Sequence, residues 1–269
     1  MKVTFLGTGA SEGIPSMYCK CGVCENARKV GGKEVRFRMG MLVNRDLMID
    51  FSPDSLYNSI RYGIDFSKLK GILITHTHSD HLDLESIEPR IRLEEDVDVP
   101  SWNIYATGAA CKLLKDKKSL EALCLNRVYL KVPFNVGDYK ITPLDANHII
   151  NEDSATYLIE KDGKTYLHLC DTGEIDSSVY EYLHKNGVKV DLAVVDCTYG
   201  LIEKEYCGHL NLNQVVKLCD NFKRLGVFGE QTQTYLTHVC HWGGSHENLE
   251  KKASEYGLKV AYDGLEVQI

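Results

Sequence analysis

The stretch that most constrains this 269-residue chain is "GILITHTHSDH", an apolar run that leads directly into His76, His78, Asp80 and His81. Three imidazoles and a carboxylate are costly to bury without partners. At the carboxyl end of a buried strand they would instead face a crevice of the kind in which α/β proteins bind ligands. Residues two apart in an extended chain project the same way, so His76 and His78 can share one metal ion. The turn that follows can direct Asp80 and His81 to a second ion, as in two-metal hydrolytic sites.

Three further β-type runs end in residues of the same kind. "PLDANHII" places His148 after one run, "LHLCDTG" places Asp171 after another, and "TYLTHVCHW" places His238 after a third. A single histidine or aspartate at a strand end is more often structural. Metal-binding residue types after four different strands nevertheless favour one shared site, in which the Asp171 carboxylate can bridge two cations.

The pattern of apolar runs predicts a layered α/β fold rather than separate all-α and all-β domains. Strands are indicated by "KVTFLG", "GMLVNRDLMIDF", "LKGILIT" and "WNIYAT", and "DLAVVDCTYG" is typical of a strand buried on both faces. Helices are expected at about 108–118, 176–185, 211–225 and 245–256, with Asn211 and Ser245 as N-caps. Asp-Gly hairpins are expected in "SATYLIEKDGKTYLHLCDTG" and in the closing "KVAYDGLEVQI". We interpret residues 1–269 as one domain.

Composition narrows the classes of protein to consider. The formal net charge of −7 argues against a protein that grips nucleic-acid backbones. The opening "MKVTFLGTGA" lacks the longer apolar core of a signal peptide, and no window approaches the roughly 20 apolar residues of a spanning helix. We therefore expect a cytoplasmic protein with no membrane partner and mostly reduced cysteines. The scattered thiols expected in the core are Cys111, Cys124, Cys197 and Cys219.

From "GTGASEGIP" through to His238, the chain resembles the metallo-β-lactamase-fold hydrolases. The resemblance implies an αββα sandwich with a dinuclear metal site at the edge of the two sheets. It also implies the ligands of both ions. These are His76, His78 and His148 for the first ion, Asp80, His81 and His238 for the second, and Asp171 between them. Every ligand position holds the expected residue type, so we expect an active enzyme, with Zn, Mn or Fe as its catalytic metals.

A separate zinc site is predicted by "YCKCGVCENA", which places three thiols within six residues: Cys19, Cys21 and Cys24. A structural zinc ion takes four ligands. His241 lies three residues beyond His238, and residues three apart along an extended strand face opposite ways. One histidine can then serve the catalytic ions while His241 completes a Cys₃His site. The rival fourth ligands are Cys240, which would share the face of His238, and Cys207.

The cysteine cluster, together with "THTHSDH", "DTG", "VVDC", "HLNLN" and "LTHVCH", resembles the PhnP family of phosphoribosyl cyclic phosphate phosphodiesterases of bacterial phosphonate breakdown. The resemblance implies that a metal-bound hydroxide opens a five-membered cyclic phosphate on ribose, with two catalytic ions and one structural zinc ion. It makes His209 the general acid. Asp196, in "VVDC", can orient His209. Asp80 is counted as catalytic as well as metal-binding.

The expected substrate is a small phosphorylated sugar or a cyclic nucleotide. The arginines that could meet its phosphate are Arg36, Arg38, Arg90 and Arg92, although surface arginines are common. A tRNA 3′-end endonuclease is an alternative, against which the acidic balance and the lack of a basic, Gly-rich arm argue. An acyl hydrolase such as a lactonase or thioesterase is another, because the same ions polarise a carbonyl. A zinc-dependent redox or regulatory protein built on the cysteines is a third. Small metallohydrolases often pair, so a homodimer is the oligomeric state to consider.

Overall fold

Two seven-stranded sheets form the centre of the protein in a computed structural model that describes residues 1–87, 102–116, 123–205 and 207–269. The first sheet contains β1 (Lys2–Gly7), β2 (Gly40–Val43), β3 (Leu47–Ile49), β4 (Gly71–Leu73), β5 (Asn103–Ala106), β6 (Cys124–Arg127) and β14 (Glu266–Gln268). The second contains β7 (Phe134–Val136), β8 (Tyr139–Asp145), β9 (Ala155–Lys161), β10 (Lys164–Leu169), β11 (Val190–Asp196), β12 (Phe228–Thr237) and β13 (Lys259–Val260). Their orders are β14-β1-β2-β3-β4-β5-β6 and β13-β12-β11-β10-β9-β8-β7.

Helices cover the outer faces of both sheets. They are α1 (Gly22–Val30), α2 (Ser55–Tyr62), α3 (Leu84–Ile87), α4 (Gly108–Asp116), α5 (Ser177–Lys185), α6 (Leu212–Arg224) and α7 (His246–Ser254), with 3₁₀ turns at Gly32–Glu34 and Phe66–Lys68. Among the described residues, no helix combines the length and the apolar character that crossing a bilayer requires.

Strand β11 shows how the layers arise from the sequence. Leu192 and Val194 pack between the two sheets, whereas Ala193 and Val195 pack against the helices on the outer face. This alternation of two buried faces explains the continuous apolar run, because β11 lies between parallel neighbours β10 and β12. A third apolar cluster fills the outer face of the first sheet. The expected αββα sandwich of the metallo-β-lactamase type is confirmed.

The predicted helices form close to their expected bounds. Asn211 caps α6 with a capping box in which its side chain and that of Gln214 bond reciprocally to backbone N–H groups. Ser245 caps α7 through the backbone N–H of Asn248. Helix α4 ends at Asp116 in the described chain, and the last two residues of the expected 108–118 helix lie outside it.

One of the two predicted Asp-Gly hairpins is correct. Asp162 and Gly163 have φ angles of 51° and 71° and join β9 to β10 in an antiparallel pair. The closing hairpin is wrong, because β13 pairs in the second sheet and β14 in the first. Asp263 is instead half-buried, and it accepts hydrogen bonds from the Thr8 hydroxyl and the Phe37 backbone N–H. These bonds tie the connection between the sheets to the loop after β1.

The expectation that four scattered cysteines lie in the core is correct for three of them. Cys111, Cys197 and Cys219 are buried, whereas Cys124 is exposed on β6. In the described part of the first sheet β6 is an edge strand, so its side chains have less cover than those of the central strands.

Candidate active site

The predicted metal-binding residues meet at one edge of the sandwich, where strands β4, β8, β10 and β12 end. Strand β8 runs antiparallel to β9, and β9 antiparallel to β10, so β8 and β10 point the same way. Strands β10, β11 and β12 are parallel. The loops after these carboxyl ends therefore converge, as expected for a ligand site in an α/β protein.

The first group of ligand atoms comes from His76, His78, His148 and Asp171. His78 Nδ1 lies 3.0 Å from both His76 Nε2 and His148 Nε2. The Asp171 Oδ2 atom lies 3.4 Å from each of those Nε2 atoms. Three imidazole nitrogens and one carboxylate oxygen thus surround a single point.

The second group comes from Asp80, His81, Asp171 and His238. His81 Nε2 lies 3.1 Å from Asp171 Oδ2 and 3.3 Å from Asp80 Oδ2. His238 Nε2 lies 2.9 Å from Asp171 Oδ1 and 3.4 Å from His81 Nε2. Asp171 belongs to both groups and presents oxygen to each, as a bridging carboxylate would.

The donor atoms in both groups fit a divalent metal ion. Ligand bonds of about 2.1 Å in a tetrahedron place the donor atoms about 3.4 Å apart, close to the separations above. Imidazole and carboxylate suit Zn, Mn and Fe.

Charges in the site favour an ionised carboxylate at its centre. Burial opposes ionisation of Asp171, but the neighbouring His238 and His81 outweigh it and hold the pKa of Asp171 well below its usual value. Burial lowers the pKa of His76, which favours the neutral imidazole that a metal ligand must be.

Three side chains of the site depend on left-handed backbone. Asp50, Asp171 and His238 have φ angles of 63°, 51° and 58°. Such conformations are unfavourable for residues other than glycine and cost on the order of 1–3 kcal/mol each. At these three strand ends they turn the side chain out of the strand direction and into the site.

Asp50 is a supporting residue that the sequence analysis missed. It is fully buried at the end of β3, and its Oδ2 atom accepts a 2.6 Å hydrogen bond from His81 Nδ1. Its Oδ1 atom accepts from the backbone N–H of Thr75 at 2.8 Å, and the Thr75 hydroxyl also contacts Asp50 and His76 Nδ1 at 2.9 Å. A carboxylate on Nδ1 directs Nε2 toward the metal. The sequence signal that could have indicated Asp50 is "LMID", in which an acidic residue follows β3, the strand that pairs with β4.

Glu152, also missed, holds the loop between two ligands. Its carboxylate accepts from the Thr77 backbone N–H at 3.0 Å and from the Thr77 hydroxyl at 2.7 Å. Thr77 stands between His76 and His78, so Glu152 fixes the position of both.

His209 and Asp196 form the expected pair. His209 Nδ1 lies 2.9 Å from Asp196 Oδ2, and the His209 ring stacks at 5.4 Å on that of His238. Burial disfavours the imidazolium, but Asp196 outweighs it and raises the pKa of His209. Thr198, which the sequence analysis did not single out, accepts from His238 Nδ1 at 2.8 Å and donates to Asp196.

The separate cysteine cluster comprises Cys19, Cys21, Cys24 and His241. His241 Nδ1 lies 3.3 Å from Cys19 Sγ and 3.4 Å from Cys21 Sγ. Zn–S bonds of about 2.3 Å and a Zn–N bond of about 2.0 Å would place sulfur and nitrogen about 3.5 Å apart, so the donors fit a closed zinc site. Cys240 and Cys207 lie outside this cluster.

The pairing of His241 with the cysteines was predicted for a wrong reason. Strand β12 ends at Thr237, and His238 has left-handed backbone, so the two histidines do not share an extended strand. After His238 the chain bonds to the loop after β1 through Val239 N–H and the Thr8 carbonyl. That turn directs His238 and His241 to different sites.

The candidate arginines do not reach the site in the described chain. Arg36 is buried and bonds to the Thr8 hydroxyl and the Ala261 carbonyl. Arg38 pairs with Asp54. Arg90 and Arg92 lie outside the described residues.

A cavity of about 600 Å³ opens onto the site. Its wall includes metal-binding residues His78, Asp80, Asp171 and His238, together with His209. This volume lies within the range of about 300–1,000 Å³ typical of small-molecule sites.

Residues 45–239 match the model of the beta-lactamase superfamily domain. The chain belongs to the beta-lactamase superfamily. A curated protein of Porphyromonas gingivalis named octanoyltransferase is 26% identical over 288 residues, 100% of this chain and 52% of that protein. Another, the mitochondrial N-acyl-phosphatidylethanolamine-hydrolyzing phospholipase D of Saccharomyces cerevisiae, is 25% identical over 210 residues, 70% of this chain and 41% of that protein. The chain spans about half or less of these relatives' length.

Solved structures share the superfamily fold over the whole chain. A diphosphatase from the PhnP family has a TM-score of 0.79 at 24% identity, covering 99% of this chain and 96% of its own. The short form of human tRNase Z has a TM-score of 0.66 at 17% identity, covering 100% and 99%. The expected resemblance to PhnP proteins is therefore borne out at the level of the fold.

Proposed function

We propose that the protein is a metal-dependent phosphodiesterase that opens a small cyclic ribose phosphate. The observation that carries this proposal is the Asp196–His209 pair, placed on the wall of the same cavity as the two metal-binding groups. A site for a proton donor beside two cations suits a reaction in which an alkoxide leaves phosphorus. The PhnP-family diphosphatase and the relative named as a phospholipase D act on phosphorus–oxygen bonds, which supports the same class.

Each part of the site has a defined task in this proposal. Zn, Mn or Fe ions held by the two groups would supply Lewis-acid chemistry, polarising phosphoryl oxygens and lowering the pKa of water. Asp50 and Thr198 hold His81 and His238 with Nε2 toward the groups. The Cys₃His cluster would hold a structural zinc ion that ties the N-terminal loop to the segment carrying His238.

The proton for the leaving sugar oxygen comes from His209. Asp196 accepts a hydrogen bond from Nδ1, which leaves Nε2 of the ring to donate into the cavity. Asp196 is fully buried, and it also accepts from the backbone N–H groups of Thr198 and Leu210, so its position is fixed. A positioned acid contributes typically 10²–10⁴-fold to the rate.

His209→Ala tests this role. We expect hydrolysis of a ribose 1,2-cyclic phosphate to slow by roughly 10²–10⁴-fold, because its leaving alkoxide needs a proton. Hydrolysis of bis(4-nitrophenyl) phosphate should slow much less, because nitrophenolate leaves without one. Metal content should be unchanged, and His184→Ala, an exposed histidine on α5, is the matched control. Equal losses on both substrates, or loss of metal, would contradict the assignment.

Two other activities have an observation in their favour. The fold shared with tRNase Z makes tRNA 3′-end cleavage an alternative activity, although the net charge of −7 disfavours nucleic acid as a partner. The similarity to a protein named octanoyltransferase makes acyl hydrolysis a second alternative activity. A substrate panel of ribose 1,2-cyclic phosphate, 2′,3′-cyclic nucleotide, tRNA precursor, lactone and thioester separates them. We further propose that the protein acts in the cytoplasm as a homodimer and that it contributes to phosphonate metabolism.

A further inference from the structure

One part of the cavity wall is formed by residues that the proposed chemistry does not use. Glu12 and Trp242 line the same cavity of about 600 Å³ as His209 and the metal-binding residues. Glu12 belongs to the loop after β1, and Trp242 follows the cysteine-cluster ligand His241. A substrate whose phosphate lies at the metal-binding groups would reach this wall with the group that the phosphate carries.

The position of Glu12 is linked to the cysteine cluster. His241 Nδ1 faces the thiols of Cys19 and Cys21, so a zinc ion bound by this cluster would leave the ring proton of His241 on Nε2. That nitrogen is 3.9 Å from Glu12 Oε1, and the Ser11 hydroxyl donates to Oε2 at 3.4 Å. The carboxylate keeps 30% of its side chain exposed, so it retains accepting capacity toward a ligand. Glu12 therefore lies between the cysteine cluster and the cavity, with a long ion-pair separation to His241.

Trp242 offers a flat apolar surface on the wall of the same cavity. It exposes 66% of its surface, and its ring lies 5.1 Å from that of His241. An indole left exposed at a cavity wall loses the hydrophobic gain of burial until a ligand covers it. Nucleobases stack on such rings in a way that tolerates different bases.

We propose that Glu12 and Trp242 form a nucleoside subsite, in which Trp242 stacks on the base and Glu12 accepts hydrogen bonds from sugar hydroxyls. Hydrogen bonds from hydroxyls to a carboxylate are stronger than neutral ones. The same carboxylate repels a second phosphate group on the sugar, because like charges in contact disfavour binding. This inference rests on the proposed phosphodiesterase function. Among cyclic ribose phosphates it selects nucleoside 2′,3′-cyclic phosphates, because C1 of a ribose 1,2-cyclic phosphate already carries the phosphate ester and has no place for a base.

Calorimetric binding to the metal-loaded protein tests the subsite independently of turnover. The probes are adenosine 2′-monophosphate, adenosine 2′,5′-bisphosphate and ribose 5-phosphate. Trp242→Ala should weaken binding of adenosine 2′-monophosphate by roughly 5- to 150-fold, the loss expected for one base-stacking contact, and leave ribose 5-phosphate unchanged. Glu12→Gln should weaken the monophosphate and strengthen the bisphosphate. Tyr18→Ala is the matched control, since Tyr18 is an aromatic side chain with 91% exposure on the same loop and outside the cavity wall.

The subsite is refuted if Trp242→Ala weakens ribose 5-phosphate as much as the adenosine ligand. It is also refuted if wild-type protein binds the bisphosphate at least as tightly as the monophosphate and Glu12→Gln changes neither. Turnover of adenosine 2′,3′-cyclic phosphate then separates the two proposals. If the wild-type protein opens the cyclic phosphate and Trp242→Ala binds adenosine 2′-monophosphate normally, the phosphodiesterase proposal stands and the subsite is refuted. If Trp242→Ala loses affinity for adenosine 2′-monophosphate but the wild-type protein opens no cyclic phosphate, the subsite stands and the phosphodiesterase proposal is refuted.

Discussion

Replacement of Asp50 by asparagine tests whether this buried carboxylate prepares a ligand of the second metal-binding group. Oδ2 of Asp50 accepts from His81 Nδ1 at 2.6 Å, and Oδ1 accepts from the Thr75 backbone N–H at 2.8 Å. Asparagine has one acceptor oxygen, so it can serve only one of these two donors. If its oxygen stays on Thr75, the amide N–H₂ faces His81 Nδ1 and the ring proton must move to Nε2, the nitrogen aimed at the metal site.

If the amide flips instead, the buried Thr75 N–H faces another donor. Leaving such a group unsatisfied costs about 1–3 kcal/mol. Loss of a carboxylate that orients a metal-binding histidine costs typically 10–100-fold in metal affinity, which corresponds to about 1.4–2.7 kcal/mol. The free-energy cost is similar whether the asparagine amide flips or not. Asp50→Asn should therefore weaken binding of one of the two ions by roughly 10–100-fold.

The assay is competition for zinc with a chromophoric chelator, together with metal content after dialysis. Asp191→Asn is the matched control, because Asp191 accepts from the Thr165 backbone N–H and from Lys164 at the start of β11, away from the histidines. We expect the control to keep wild-type metal affinity. If Asp50→Asn also binds both ions as tightly as the wild type, the tautomer argument is refuted.

Two further predictions concern the cysteine cluster and the connection between the sheets. His241→Ala should lower the zinc content of the purified protein, measured by elemental analysis, by one ion per chain. The control Cys240→Ala should leave the zinc content unchanged. An unchanged zinc content in His241→Ala would show that His241 is not a ligand of the cluster. Burial raises the pKa of Asp263 to about 6 against the opposing influence of Arg36 and Arg61. The folded chain then keeps a proton that the unfolded chain releases near its ordinary value of 3.8, so this group's contribution to the free energy of unfolding falls as pH rises from about 4 to 6. Denaturant titrations of metal-free protein should show this slope, and Asp263→Asn should lack it; equal slopes in both would contradict the assignment.

The sequence predicted the layers and the ligand types because both depend on local patterns. The continuous apolar run of β11 and the apolar runs of its neighbours define strands, and His or Asp after four strands defines the site. The closing Asp-Gly pair shows the limit of such patterns. Gly264 does adopt a left-handed turn conformation, with φ of 90°. The Asp-Gly pair therefore predicts only the local turn. The sheet that the strand on each side of the turn joins depends on hydrogen bonds that Asp263 accepts from Thr8 and Phe37, which are distant in sequence.

The supporting layer of the site follows a rule that sequence patterns do not contain. Two buried aspartate–threonine pairs, Asp50 with Thr75 and Asp196 with Thr198, each bind one imidazole directly and another through the threonine hydroxyl. The directly bound rings are His81 and His209, and the rings reached through threonine are His76 and His238.

In all four rings the supporting contact is made by Nδ1, so Nε2 is the nitrogen left for a metal ion or a substrate. Asp196 stands two residues from Thr198, and the motif that contains it is visible in the sequence. Asp50 stands 25 residues from Thr75 and meets it only because β3 and β4 pair in parallel. Residue types after strands therefore identify the ligands, but the nitrogen that His81 offers is decided by the pairing of β3 with β4.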